Sequence, residues 1–340
     1  MEDREITIVK EGRETPFSRG ILAQTLTQAG TQMELAYRIS SEVRTELLSE
    51  ERYVVEEEEV MARVRARLQT TDTMIVSRLD KWRILRESTE PIVVLIGGAT
   101  GVGTSTLAAD VARRLNIQSV IGTDAIREVL RRAISLDLLP ILHKSTYGIK
   151  PEDIRVPVEE EERVLYGYRA QASQVSVGVE AIVERGLKEG TNLVIEGVHL
   201  APEILLHRYQ DHPNVCSLVV YLSDEQMHRD RFQVRALGTS MRRPAAEYIA
   251  HFTDIRQIHD YILDSALRVG VQAVENLAIE ATSDAAVEIV ANRVSGIAAR
   301  ASSQEASPLV DAGSRQADGY SGLETIQYPE EAREVQSGDR

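Results

Sequence analysis

The chain has 340 residues, 43% of them hydrophobic, and a formal net charge of −14. That length can bury a substantial core and is expected to divide into two folded units, and the modest glycine and proline counts exclude a collagen-like or globally disordered chain. The acid excess argues against a nucleic-acid or membrane partner, and no apolar run reaches the ~20 residues that a spanning helix requires.

The opening "MEDREITIVKEGRE" carries charges where a signal peptide needs an apolar region, and the single cysteine, Cys216, sits in the apolar run "VCSLVVYL". A cytoplasmic protein is expected, with Cys216 packed in the core. Residues 1–88 begin with a short alternating run, "EITIVKEG", read as a strand or hairpin. Helical periodicity follows through "RGILAQTLTQAG" and "MELAYRISSEVRTELL". The stretch "VVEEEEVMARVRARL" reads as a further helix, its acids early and its arginines late to match the helix dipole. The first 88 residues thus form a small, mostly helical module.

Residues 89–297 alternate strand and helix. Five apolar runs, "PIVVLIGG", "IQSVIGTD", "TNLVIEGVHL", "NVCSLVVYLS" and "GVQAVEN", are separated by helix-length segments. This is the pattern of a doubly wound α/β domain with a parallel five-stranded sheet. Such sheets bind ligands beyond the carboxyl ends of their strands. One rim should therefore carry Gly98–Thr106, Asp124, Glu196 and Ser223. Residues 298–340 lose all periodicity and are expected to form a disordered tail.

The stretch "GGATGVGTSTLA", Gly97–Ala108, follows the first of these strands and opens a helix, as a phosphate-binding loop does. Gly98, Gly101 and Gly103 let the backbone approach a phosphate, and the amides of residues 101–106, Val102 included, would point at it from the helix N-terminus. Ser105 falls at the hydroxyl position that commonly holds magnesium, and Thr106 can cap the helix or contact a phosphate. Thr104 occupies the position at which such loops carry lysine, so a bare glycine turn stays open as an alternative. Replacement cations are abundant: Arg127, Arg131 and Arg132 after the second strand, Lys144 in "LHKSTYG", and Arg229, Arg231, Arg235, Arg242 and Arg243 after the fourth, where phosphotransferases of this architecture place a mobile lid. A solvated helical face would account for part of them.

In "IGTDAIREVL", Asp124 ends a strand and Arg127 lies three residues on, on the same side of the first helical turn. The carboxylate could take the proton of an attacking hydroxyl and the arginine could hold a substrate anion or the moving phosphoryl group. The plain alternative for Asp124 is a helix N-cap. In "VIEGVHL", Glu196 could position magnesium or its water shell. His199 could touch the substrate or be a satisfied loop residue.

Together "IGGATGVGTSTLA", "IGTDAIREVLR", "LLPILHKSTYG", "VIEGVHL", "RFQVRA" and "EYIAHFTDIRQIHDYIL" resemble the 2-phosphoglycerate kinases, P-loop kinases that make 2,3-bisphosphoglycerate. The ordered set spans about residues 90–270. The resemblance implies ATP and Mg²⁺, a small phosphorylated acceptor touching Lys144, Ser145 and Tyr147, and a product that in some organisms feeds cyclic 2,3-diphosphoglycerate. The stretch "ITIVKEGRETPFSRGILAQTLTQAG" is similar to an ATP-cone, a regulatory nucleotide-binding domain, through Val9, Lys10, Gly12 and Phe17. Three other readings stay open: a kinase of the same fold acting on another phosphorylated polyol or inositol phosphate, a nucleotide-sensing regulator without turnover, and a nucleic-acid end kinase, which the acidic charge disfavours.

Overall fold

The structure is a computed structural model that describes residues 5–10, 12–69, 75, 76, 79, 90–160, 162–238 and 245–305. Residues 1–301 cluster as one compact unit. At its start β1 (Thr7–Lys10) and β2 (Arg13–Pro16) form an antiparallel hairpin, followed by α1 (Arg19–Gln28), α2 (Met33–Ser49), β3 (Val54–Glu56) and α3 (Glu57–Gln69). Sequence periodicity merges Val54–Glu56 into the helix behind them. Instead they pair in parallel with β1, Val55 opposite Ile8, giving a three-stranded sheet of order β2-β1-β3. The reason is a local period of two: Val55 is buried between exposed Val54 and Glu56. Two adjacent β-branched residues suit a pleated strand better than a helix. Helices α2 and α3 are joined by Arg63, which meets Glu46, Glu50 and Glu59 at 2.5, 2.7 and 3.0 Å.

The second part carries the five strands expected: β4 (Val93–Gly97), β5 (Ser119–Gly122), β6 (Leu193–Gly197), β7 (Val215–Tyr221) and β8 (Gln272–Glu275). They form one parallel sheet of order β5-β6-β4-β7-β8. All five residues of β4 are buried, as the uninterrupted apolar run of a central strand requires. Cys216 is buried in β7, where burial pushes its thiol up to about 12. The helices are α4 (Thr104–Arg114), α5 (Thr123–Ala133), α6 (Arg163–Glu189), α7 (Glu225–Gly238), α8 (Ala245–Ala250), α9 (Phe252–Val269) and α10 (Ile279–Glu305). Helix α10 thus runs past residue 297, where the tail was expected to begin. The expected disordered stretch beyond 305 and the module boundary near residue 88 lie outside the described residues.

Strand register decides what meets at the rim. Gly97 of β4 lies opposite Gly197 of β6, and Gly122 of β5 lies opposite Glu196. Three neighbouring strands therefore end together, and the glycine loop, Asp124 and Glu196 leave from the same edge.

No helix among the described residues is long and apolar enough to cross a membrane.

Candidate phosphoryl-transfer site

The loop between β4 and α4 turns through two left-handed glycines, Gly101 at φ +94° and Gly103 at φ +99°, the latter forming the helix N-cap. Only glycine takes these angles without strain. The Val102 side chain is buried, and its amide donates within the turn to the Ala99 carbonyl at 3.3 Å, so this residue shapes the loop instead of offering its N–H to a ligand. Among the described residues, the amides of Gly101 and of Gly103–Thr106 find no protein acceptor. Unsatisfied donors gathered at a helix N-terminus make a ready anion site.

The position of the absent lysine is filled from within. Thr104 is buried, and its hydroxyl donates to Glu196 Oε2 at 2.7 Å, while Ser105 donates to Glu196 Oε1 at 3.0 Å. One carboxylate at the end of β6 thus holds two successive hydroxyls of the loop. Ser223, at the end of β7, is engaged instead with Glu275, whose Oε1 accepts from its backbone amide at 3.1 Å.

Helix α5 begins where β5 ends. Its N-cap is Gly122, with no side-chain cap, so Asp124 is not a capping residue. The Asp124 carboxylate is 76% exposed at the rim, within 3.4 Å of Arg127 Nε. Arg127 itself is buried, and its Nη1 donates to the carbonyls of Leu142 and Lys144 at 3.0 and 3.1 Å. Through Nη1 the guanidinium holds the 142–144 segment beside the start of α5.

His199 departs from its expected substrate contact. The ring is fully buried, with Nδ1 3.0 Å from Thr123 Oγ1 and Nε2 3.1 Å from Gln171 Oε1. Gln171 turns its Nε2 toward the carbonyls of Ile141 and Lys144, so its oxygen accepts. The network therefore assigns the His199 proton to Nε2, and Nδ1 accepts from Thr123. Burial lowers the His199 pKa to about 4 against the opposing charge of Asp124, keeping the ring neutral. Gly197 makes room for this arrangement: at φ +136° it lies against Thr123, where a Cβ would overlap the hydroxyl.

Next to Arg127 opens a cleft of about 490 Å³, lined by Lys144, Ser145, Tyr147, Lys150, Arg163 and His251 together with three acids, Glu160, Glu247 and Asp254. Lys144 Nζ lies 3.2 Å from the buried carboxylate of Asp153. Tyr147 is buried against the rings of Tyr248 and His251, with centroids 5.8 and 5.5 Å away. The three acceptor-contact candidates are thus brought into one cavity.

The remaining arginines divide. Arg131 and Arg132 both pair with Glu128 on α5. Arg229 lies 4.0 Å over the Phe252 ring. Arg231 is turned under the loop, where Nη1 donates to the Val102 carbonyl at 2.8 Å and Nη2 to the Asn276 carbonyl. Burial lowers its pKa. It is therefore packed behind the glycine turn instead of standing on a mobile arm. The Arg235 side chain, Arg242 and Arg243 lie outside the described residues.

Two further groups bind the back of the loop that sequence reasoning missed: His228 Nε2 is 2.8 Å from the Thr100 carbonyl, and Asn276 Nδ2 donates to the Val102 carbonyl at 2.7 Å. Asn276 is 174 residues from Val102, and no motif marks either residue. Thr123, beside Asp124, was the one neighbour that proximity in sequence could have flagged.

In the N-terminal module, Gly12 takes φ +76° at the hairpin turn, Lys10 pairs with Glu57 at 2.7 Å, and Phe17 packs partly buried against the core.

No family model matches the chain. Curated relatives do. The 2-phosphoglycerate kinase of Methanopyrus kandleri is 36% identical over 86% of this chain and 88% of its own. That of Methanothermobacter thermautotrophicus is 39% identical over 80% and 89%, and that of Methanocaldococcus jannaschii 37% identical over 86% and 94%. Among solved structures, a gluconokinase from Sinorhizobium meliloti aligns with 63% of this chain and 97% of its own at 16% identity and a TM-score of 0.34, too low to add to the topology described above. Identity of 36–39% over 80–86% of its length makes the chain a member of the 2-phosphoglycerate kinase family.

Proposed function

We propose that this protein transfers the γ-phosphoryl group of ATP to the 3-hydroxyl of 2-phosphoglycerate, giving 2,3-bisphosphoglycerate and ADP. One observation carries the reading: free loop amides, the Glu196-bound hydroxyls and the exposed Asp124 carboxylate leave three adjacent strands at one edge. The names of the relatives support the acceptor.

In this mechanism the amides of Gly101 and Gly103–Thr106 hold the donor phosphates, with Gly98 letting the start of the loop pack against β7 and α4. A Cβ at Gly98 would stand 2.6 Å from the Val220 carbonyl and 2.9 Å from Thr104 Cγ2. The 3-hydroxyl oxygen attacks the γ-phosphorus, the bond to the β–γ bridging oxygen breaks, and that oxygen leaves on ADP. Asp124 takes the hydroxyl proton. Arg127 and, through Gln171, His199 act as positioning residues that hold the 141–144 carbonyls, so that Lys144, Ser145 and Tyr147 present a fixed wall to the acceptor. Lys144, Lys150 and Arg163 supply cations for its carboxylate and phosphate. Arg235 remains the candidate for charge on the transferring group.

The donor set of Ser105 Oγ and the Glu196 carboxylate is all hard oxygen, which suits Mg²⁺, an ion usually held by one or two protein oxygens plus substrate phosphates. When bound there it would offset charge on the β- and γ-phosphates. The Glu196 hydrogen bonds to Thr104 and Ser105 keep that carboxylate at the loop beforehand.

The test is ADP release measured with and without 2-phosphoglycerate, followed by a panel of other phosphorylated polyols and inositol phosphates. ADP release that depends on 2-phosphoglycerate is expected. Binding of ATP without acceptor-dependent release would favour the nucleotide-sensing regulator, a reading that the lysine-free loop keeps open. The similarity of the N-terminal hairpin to an ATP-cone supports a second, regulatory nucleotide there, contacted by Lys10 and Gly12, with Phe17 packing the turn. Passage of the product to cyclic 2,3-diphosphoglycerate belongs to the same reading.

A further inference from the structure

The loop is braced from behind at alternate carbonyls. Thr100 O accepts from His228 Nε2 at 2.8 Å, and Val102 O accepts from both Arg231 Nη1 at 2.8 Å and Asn276 Nδ2 at 2.7 Å. In a trans peptide unit the carbonyl and the following N–H point in opposite directions. Drawing Thr100 O toward α7 therefore turns the Gly101 N–H to the other side. Drawing Val102 O toward α7 and the β8–α10 connection does the same for the Gly103 N–H. The intervening peptide is turned the opposite way, since the Val102 N–H closes on Ala99 O. This alternation, with positive φ at Gly101 and Gly103, is the geometry of an anion-binding nest.

Each bracing group is itself held. The Asn276 amide donates to Val102, leaving its Oδ1 to accept from Thr282 at 3.1 Å. The His228 ring is fully buried and stacked on Phe232, which stacks in turn on Tyr248 at 4.9 Å between centroids. Burial lowers the His228 pKa to about 4, so the ring stays neutral and carries its one proton on the nitrogen facing Thr100.

From this arrangement we infer that His228, Arg231 and Asn276 are positioning residues of the phosphate loop. They aim the Gly101 and Gly103 amides into the donor site and so supply by preorganisation part of what the absent lysine would supply by charge. Preset donors bind an anion without reorganising at the moment of binding. The inference rests on the phosphate-loop reading proposed above.

The experiment compares His228→Leu, His228→Gln and Asn276→Asp with the unaltered chain by calorimetric titration with ADP and Mg²⁺, by separate KM values for ATP and for 2-phosphoglycerate, and by thermal melting. His228→Leu and Asn276→Asp each remove the N–H donor, and Asn276→Asp keeps the packing and an acceptor for Thr282. ADP affinity should weaken about tenfold in both and KM for ATP should rise in parallel, with KM for the acceptor unchanged. His228→Gln, which restores a side-chain N–H, should recover most of the loss.

ADP affinity within twofold of the original in both donor-removing variants would overturn the inference. So would equal rises in both KM values with no recovery in His228→Gln, because that pattern marks general loosening. Should His228→Leu fail to fold, Asn276→Asp decides alone. Failure of the unaltered chain to bind ADP would instead sink the phosphate-loop reading itself.

Discussion

Gly101→Ala isolates the demand that the loop backbone makes on its sequence. At φ +94° an alanine is strained by about 1–2 kcal/mol. Its Cβ would also stand 2.7 Å from Phe232 Cε1 and 2.9 Å from His228 Nε2, roughly 0.7 Å and 0.5 Å short of ordinary contact. Phe232 cannot easily retreat, because it is buried and stacked on Tyr248 with the two planes 7° apart. Overpacking of a well-filled core costs about 1–3 kcal/mol. Together the two effects disfavour the native loop by about 2–5 kcal/mol, and the penalty has two outlets. If the loop swings away, ADP affinity falls by about 30-fold to several thousand-fold. If it holds its shape, the fold loses that stability, and melting drops about 1–2 °C for each kcal/mol in a unit of this size. Titration calorimetry and a thermal melt on one preparation read both. Adding Phe232→Leu to Gly101→Ala should recover the steric share and leave the strain. The reasoning is refuted if Gly101→Ala binds ADP within twofold of the original chain and melts within a degree of it.

Asp124→Asn should lower turnover by orders of magnitude while ADP affinity stays near its original value, because the exposed carboxylate lies at the rim and pairs with Arg127 of its own helix instead of with the loop; near-normal turnover would remove Asp124 as the base. Thr104→Lys should bring little gain in activity, since the new ammonium would meet the Glu196 carboxylate that now accepts from Thr104 at 2.7 Å. A large gain in steady-state rate would mean that the natural loop lacks only its charge. Stability should also depend on pH. Burial holds His199 and His228 at about 4 in the folded chain, against about 6.5 when unfolded. Between those values the unfolded chain takes up protons that the folded one refuses, so stability is whole above about pH 6.5 and declines as pH falls toward 4. Urea midpoints at pH 7.5 and 5.0 check this, and equal midpoints would count against both buried rings.

Much of this protein was open to reading from its residues alone because the signals are local. Short apolar runs separated by helix-length segments mark the strands of a parallel sheet, and β4 to β8 fall on those runs, with the central β4 buried along its whole length. A strand followed by spaced glycines and then a helix points to a phosphate loop within a dozen residues, whereas the register that brings the strand ends together comes from the sheet. What folding alone decided is where each long side chain is spent. Arg127 and Arg231 read as free cations in a list of arginines, yet one closes on carbonyls at 142 and 144 and the other on the loop itself. The partner of Thr104 is 92 residues distant, and that of Val102 is 174. Buried backbone carbonyls and hydroxyls must find partners, and the nearest in space answer whatever their distance along the chain. No periodicity encodes that choice; the packing of β6, α7 and the β8–α10 connection against the loop makes it.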